Sequence, residues 1–186
     1  MFIIKKIQKI MACMTLKGIS YDLCDSSIGG IKKVAIYEKS DLALSTMTVV
    51  DGEVTALTAS APGFSYDFLK DNSNWVEAIV GDGILASVHF APTVTLMFRK
   101  MSNTLRNEIM ELVRDYVVIF VTDSNNITWM IGSDRGMTLS ASAGGQSGSK
   151  LEEMNGETLV FTGNETFKAY TMDLTAIGEP FLSQLS

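Results

Sequence analysis

Residues 46–59 read TMTVVDGEVTALTA, and the fold class turns on how this stretch is taken. Two β-prone runs, Thr46 to Val50 and Glu53 to Ala59, flank the pair Asp51-Gly52. Both residue types tolerate positive φ, which a two-residue hairpin turn needs if its twist is to match that of the strands. The stretch therefore predicts a β-hairpin. In its second arm Val54, Ala56 and Thr58 alternate with Thr55, Leu57 and Ala59, so neither face is strongly polar.

The same pattern of short β segments and turn chemistry extends in both directions. Upstream, Ile31 to Glu38 (IKKVAIYE) reads as a strand. Downstream, Phe64, Tyr66 and Phe68 recur at a spacing of two, which places three aromatics on one face of a strand. Asp67 and Asp71 lie beside that row, whereas base-stacking platforms combine aromatics with cations. The row therefore reads as core-facing. Asp71 to Asn74 is a turn cluster. Trp75 to Val80 and Ile84 to Phe90 form a second expected hairpin around Gly81-Asp82-Gly83, and Pro92 suggests an edge or a bend before Thr93 to Phe98.

One segment has helical period. In Ser102 to Asp115 the apolar residues Leu105, Ile109, Leu112 and Val113 share a stripe, with Ser102 or Asn103 available as N-cap. This predicts one amphipathic helix whose stripe lies against a sheet. Tyr116 to Asp123 (YVVIFVTD) is almost continuously apolar, which predicts a central strand covered on both faces. Ile127 to Gly132, Met137 to Ser142, Glu157 to Gly163 and Phe167 to Leu174 read as further β segments. Ala143 to Lys150 (AGGQSGSK) has no side chain able to anchor a core and reads as a mobile loop or contact arm. The tail from Thr175 shows no clear periodicity.

A chain of 186 residues suits one domain with or without an appendage, and at that length about 70% of the unfolded surface is buried. The apolar content of 46% with 19% charged residues belongs to a globular protein, not a disordered one. The formal net charge of −6 argues against gripping nucleic acid, which needs concentrated Lys and Arg. It is compatible with lining a passage along which DNA slides. Cys13 and Cys24 are the only cysteines and read as small apolar side chains. In residues 1–14, Lys5, Lys6, Gln8 and Lys9 break every apolar stretch that a secretory signal would need. Ile10-Met11-Ala12-Cys13 resembles a lipoprotein cleavage box. The competing readings are an arm that docks on a neighbour, or a start at Met11 or Met14. No apolar run reaches the roughly 20 residues of a membrane helix, so no membrane partner is expected.

The residues of known chemistries are sparse. His89 is the one histidine and sits in an apolar strand context, and no serine occupies a G-x-S-x-G elbow. Gly148-Ser149-Lys150 does not have the spacing of a phosphate-binding loop. Asp22, Asp25, Glu152 and Glu153 match no calcium-loop ladder. Paired carboxylates drawn from distant strands remain open as an enzyme reading. The expectation is no enzyme activity, no cofactor and no metal.

The run from Gly18 to Lys32, GISYDLCDSSIGGIK, resembles the opening of virion structural proteins from phages of gut Bacteroidetes, including crAss-like phages. Arg99-Lys100-Met101-Ser102, Trp129-Met130-Ile131-Gly132 and Gly144-Gly145-Gln146-Ser147-Gly148, with Asn155-Gly156 and Thr158-Leu159 after it, are similar too. The resemblance covers most of the chain from about residue 16. It implies an extension or assembly arm over 1–15 and a tail-tube-like β domain over 16–186. The implied fold is a β-sandwich or partial barrel with one helix on its flank. It also implies a homo-oligomeric ring or tube, in the tail or the head–tail connector of the virion, contacting other tail or connector proteins. DNA would pass through the lumen without specific binding. Asp51, Gly52 and Gly144, Gly145, Gln146, Ser147 and Gly148 are the expected subunit contacts. A surface or lipid-anchored bacterial β-sandwich that binds a partner is the alternative.

Overall fold

The computed structural model describes residues 28–68, 73–82, 87–100, 102–140, 144–149, 153, 155–178 and 180–185. The expected arm, both cysteines and most of the run 18–32 lie outside these residues.

The chain is mainly β. In order, the strands are β1 (Ile31–Glu38), β2 (Thr48–Val50), β3 (Glu53–Ala56), β4 (Phe64–Asp67), β5 (Asn74–Val80) and β6 (His89–Arg99). Helix α1 (Asn103–Leu112) follows, then β7 (Val117–Asp123), β8 (Thr128–Ile131), β9 (Thr138–Leu139), β10 (Gly144–Gln146), β11 (Gly156–Thr162) and β12 (Tyr170–Met172). Two short helices, α2 (Leu174–Ile177) and α3 (Phe181–Leu185), close the chain. The strands form two sheets. One has seven strands in the order β2-β3-β12-β8-β7-β1-β4; the other runs β10-β11-β6-β5, with β9 pairing β11. This is a sandwich of two sheets, mostly antiparallel, with one parallel pair between β12 and β3.

Strand β7 shows why the continuous apolar run is there. Its alternate side chains enter opposite cores. Val117, Ile119 and Val121 pack with Val94, Leu96, Leu159 and Phe161 of the smaller sheet. Val118 and Phe120 pack with Tyr37, Met130, Phe181 and Leu185 on the other face. Neighbouring β1 divides the same way, Val34 and Ile36 to the first core, Ala35 and Tyr37 to the second. Each such side chain contributes roughly 1.5–3 kcal/mol by leaving water, so the seven-stranded sheet is the buried middle layer.

The Asp51-Gly52 hairpin forms as its residues require. Val50 pairs with Glu53, and φ is 51° at Asp51 and 88° at Gly52. The aromatic row faces the first core, with Tyr66 and Phe68 stacked on Phe98 at 5.0 and 5.3 Å. Helix α1 is capped by the Ser102 hydroxyl, which accepts from the Leu105 amide at 3.2 Å. Leu105, Ile109 and Leu112 are buried, but Val113, expected in the same stripe, is exposed past the last turn.

Four expectations need correction. Pro92 marks neither an edge nor a break: β6 is continuous through it, between β5 and β11. Phe90 exchanges two backbone hydrogen bonds with Glu165, whereas Pro92 only accepts, from the Gly163 amide at 3.2 Å. The missing donor falls just past the end of β11, where the ladder tolerates it. The second hairpin pairs Val80 with His89, so its return strand starts at His89, after Ser87 and Val88, while Ile84 lies outside the described residues. The small-residue stretch is not all loop, since Gly144 to Gln146 pairs with β11. Finally, one helix becomes three, because the tail carries α2 and α3.

Helix α3 has no helical pattern long enough to read, yet its two buried residues decide its place. Phe181 stacks on Tyr37 and Phe120 with ring centroids 5.1 and 5.2 Å away. The Tyr37 hydroxyl donates to Gln184, whose amide donates to the Gly63 carbonyl at 3.3 Å. A Cβ at Gly63 would stand 2.6 Å from the Tyr37 ring, so this crossing demands glycine.

Candidate assembly surface

Both faces of the seven-stranded sheet are occupied, but among the described residues only the inner face of the five-stranded sheet is covered. Strand alternation sends Val94 and Leu96 of β6, and Leu159 and Phe161 of β11, into the core. The residues between them point outward. They are Ala91, Thr93, Thr95 and Met97 on β6 and Thr158, Val160 and Thr162 on β11, all half-buried by their neighbours. Val76, Ala78 and Val80 extend the row on β5. Thr95 stands opposite Val160, and Thr93 lies between Thr162 and Val76.

Among the described residues this outer face carries no carboxylate, in a chain with 21 acidic residues. The glutamates of its strands, Glu77 and Glu157, occupy inward positions. Glu77 accepts from the Ala169 amide at 2.8 Å and lies 3.9 Å from the Lys168 ammonium. Among the described residues, charged or titratable outward groups appear only at the two ends of β6, as His89 and Arg99. The result is a flat surface of threonine, valine and alanine.

The expected contact residues sit on open edges. Gly144, Gly145 and Gln146 make up β10, at one edge of the five-stranded sheet, and are exposed. Ser147 and Gly148 continue from it, Gly148 with φ of 63°. Asp51 and Gly52 cap the hairpin at the edge of the other sheet, where the Gly52 carbonyl accepts from the Thr171 amide at 3.2 Å. The two groups thus belong to different sheets. The outward Thr and Val residues were not singled out in the sequence, although the alternation in Thr93 to Phe98 and Glu157 to Thr162 carries the signal.

Beside this face a cleft of about 710 Å³ opens between Thr93, Thr162, Lys39, Tyr116 and Arg135. Asp134 is the one carboxylate on its wall. The Thr166 hydroxyl, 2.6 Å away, is the main cause of its lowered pKa, aided by Arg135 and Lys39. The Lys39 ammonium donates to the Asp134 carbonyl. Glu165, buried behind the loop, accepts from the amides of Asp134, Arg135 and Gly136 at 2.6, 3.0 and 3.1 Å. Glu77 and Glu165 both line one further narrow cavity. Each of these carboxylates is already engaged by main-chain amides, so the pair is arranged as structural clamps. Among the described residues no group of three or more His, Cys, Asp or Glu is placed to hold a metal. His89 starts β6, paired with Val80. No described helix is long and apolar enough to cross a membrane.

Compared with known proteins, the chain matches no family model, no curated protein and no solved structure.

Proposed function

We propose that this chain is a non-enzymatic virion structural subunit of a phage, building an oligomeric ring or tube in the tail or head–tail connector around the DNA channel. The observation that carries the reading is the edge strand β10. Its Gly-Gly-Gln main chain is exposed at a sheet edge with no partner beyond it among the described residues. An exposed edge is a template for pairing with another chain, and folds that remain alone usually blunt theirs with charge, proline or a covering segment. Strand addition draws its affinity from backbone hydrogen bonds, so small side chains suffice. Head-to-tail use of one edge on each copy closes a ring when the rotation between copies allows it. The acidic balance suits a lumen along which DNA moves without being held.

The test is the copy number of the purified full-length chain, by native mass measurement and negative-stain imaging over a concentration series. Rings of fixed copy number or stacked tubes are expected. Monomers at every concentration overturn the reading. Gly144→Lys localises the contact: a Cβ there meets nothing within 4 Å, so the fold is kept while the edge gains a charge. Its particles are expected to fall apart.

A further inference from the structure

We infer that the outer face of the five-stranded sheet is a second contact between copies, in which two molecules meet face to face. The inference rests on the reading that the chain assembles with itself, and adds the surface and the geometry. Three observations select a second copy as the occupant.

The first is charge. Two molecules of net charge −6 repel, and a self-contact is favoured where neither side presents an acid. The outward rows of β5, β6, β10 and β11 contain none, because Glu77 and Glu157 stand on the inward side. The second is shape. Sheets pack face to face about 10 Å apart when small and β-branched side chains interdigitate, and the Thr95–Val160 pair at the centre of the face is of that kind. The third is size. Strands β5, β6 and β11, of seven, eleven and seven residues, and the three residues of β10 lie about 4.8 Å apart and present roughly 450 Å² of flat area. That is somewhat over half of one partner's share in a standard interface, about 800 Å², and suits a weak contact. Nucleic acid fits poorly, since the sole positive side chain in the outward rows, Arg99, lies at a corner.

A face-to-face contact of identical surfaces has a two-fold axis, so residues near its centre meet their own counterparts. Thr95 is such a residue. In a background with Cys13→Ser and Cys24→Ser, Thr95→Cys is expected to cross-link to itself with a short bis-maleimide, giving a covalent dimer. Ile28→Cys, exposed ahead of β1 and bonded to Asn125 beside the other sheet, serves as the control that does not. Val160→Asp is expected to weaken the contact by about 100-fold, because it buries like charges against each other. Thr158→Glu repeats the test at a second outward position of β11, with circular dichroism verifying the fold.

The outcomes separate the two ideas. Larger particles that persist in Val160→Asp and Thr158→Glu, with no Thr95 cross-link, overturn the face-to-face contact and leave the ring reading standing. Dimers that cross-link through Thr95 without any larger particle support the contact and overturn the ring. Monomers alone overturn both.

Discussion

The indole rings of Trp75 and Trp129 lie with centroids 5.3 Å apart, one from each sheet, tilted 46° to one another. Trp75 stands on β5 and Trp129 on β8, so the pair spans the gap between the layers. The sheets share no strand, and side-chain contacts of this kind hold them together. Trp75→Ala is expected to cost about 2–4 kcal/mol, somewhat below a fully buried tryptophan because the ring is half-exposed. A double-mutant cycle with Trp129→Ala should return a coupling of about 1 kcal/mol. Urea unfolding followed by far-UV circular dichroism measures both, and additive single effects would show that the rings do not act together.

Glu165 organises the loop that walls the cleft. Its two oxygens accept from three successive amides, and it is 3% exposed. Glu165→Ala strands those donors and is expected to cost about 3 kcal/mol or more, since each unsatisfied buried group costs roughly 1–3 kcal/mol. Glu165→Gln keeps one acceptor oxygen and turns a donor toward the amides, so an intermediate loss is expected. Hydrogen exchange at Asp134, Arg135 and Gly136 should accelerate in both variants, with the β7 amides unchanged.

The C-terminal helix acts as the lid of the second core. Phe181 is fully buried against Tyr37 and Phe120, and the Leu185 carbonyl accepts from the Thr122 hydroxyl at 3.3 Å. Phe181→Ala should cost about 3–5 kcal/mol. Deleting residues 179–186 uncovers one face of β1 and β7, and is expected to give a chain that binds a hydrophobic dye and aggregates. An unchanged melting temperature after truncation would contradict this packing.

Burial holds the Tyr66 hydroxyl far above its ordinary pKa near 10, and the Glu108 carboxylate, accepting its proton at 2.7 Å, raises it further. Burial likewise raises Tyr37, with the Gly63 backbone opposing. In the unfolded chain these phenols ionise near pH 10, while the folded protein keeps them neutral. The unfolded state then binds fewer protons, so the stabilisation is complete below about pH 10 and is lost as pH climbs beyond it. Tyr66→Phe should lower stability by about 1 kcal/mol at pH 8, where only the hydrogen bond is missing. At pH 11 the deficit should shrink or reverse, because phenylalanine has no proton to lose. Urea midpoints of both proteins at the two pH values decide it.

Much of the β architecture was legible in the residues. The hairpin at Asp51-Gly52, the inward row Phe64, Tyr66 and Phe68, the capped helix after Ser102 and the doubly covered strand at 117–123 each have a signal confined to a dozen neighbouring residues. Pro92 misled because a proline is harmful only where its absent N–H faces a partner, and that depends on where β11 ends. The glycine stretch misled for a related reason. Gly144 to Gln146 holds its place through backbone hydrogen bonds to β11, which no side-chain pattern records.

Local residue order by itself determined which segments are extended, where the chain turns and which side of each strand is apolar, because φ preference and the two-residue repeat act over short distances. Only the tertiary structure decided which strands became neighbours, that β12 runs parallel to β3, that α3 closes over Tyr37, and that a face without outward carboxylates is left uncovered among the described residues. Those choices depend on which apolar surfaces, far apart along the chain, exclude water best when brought together.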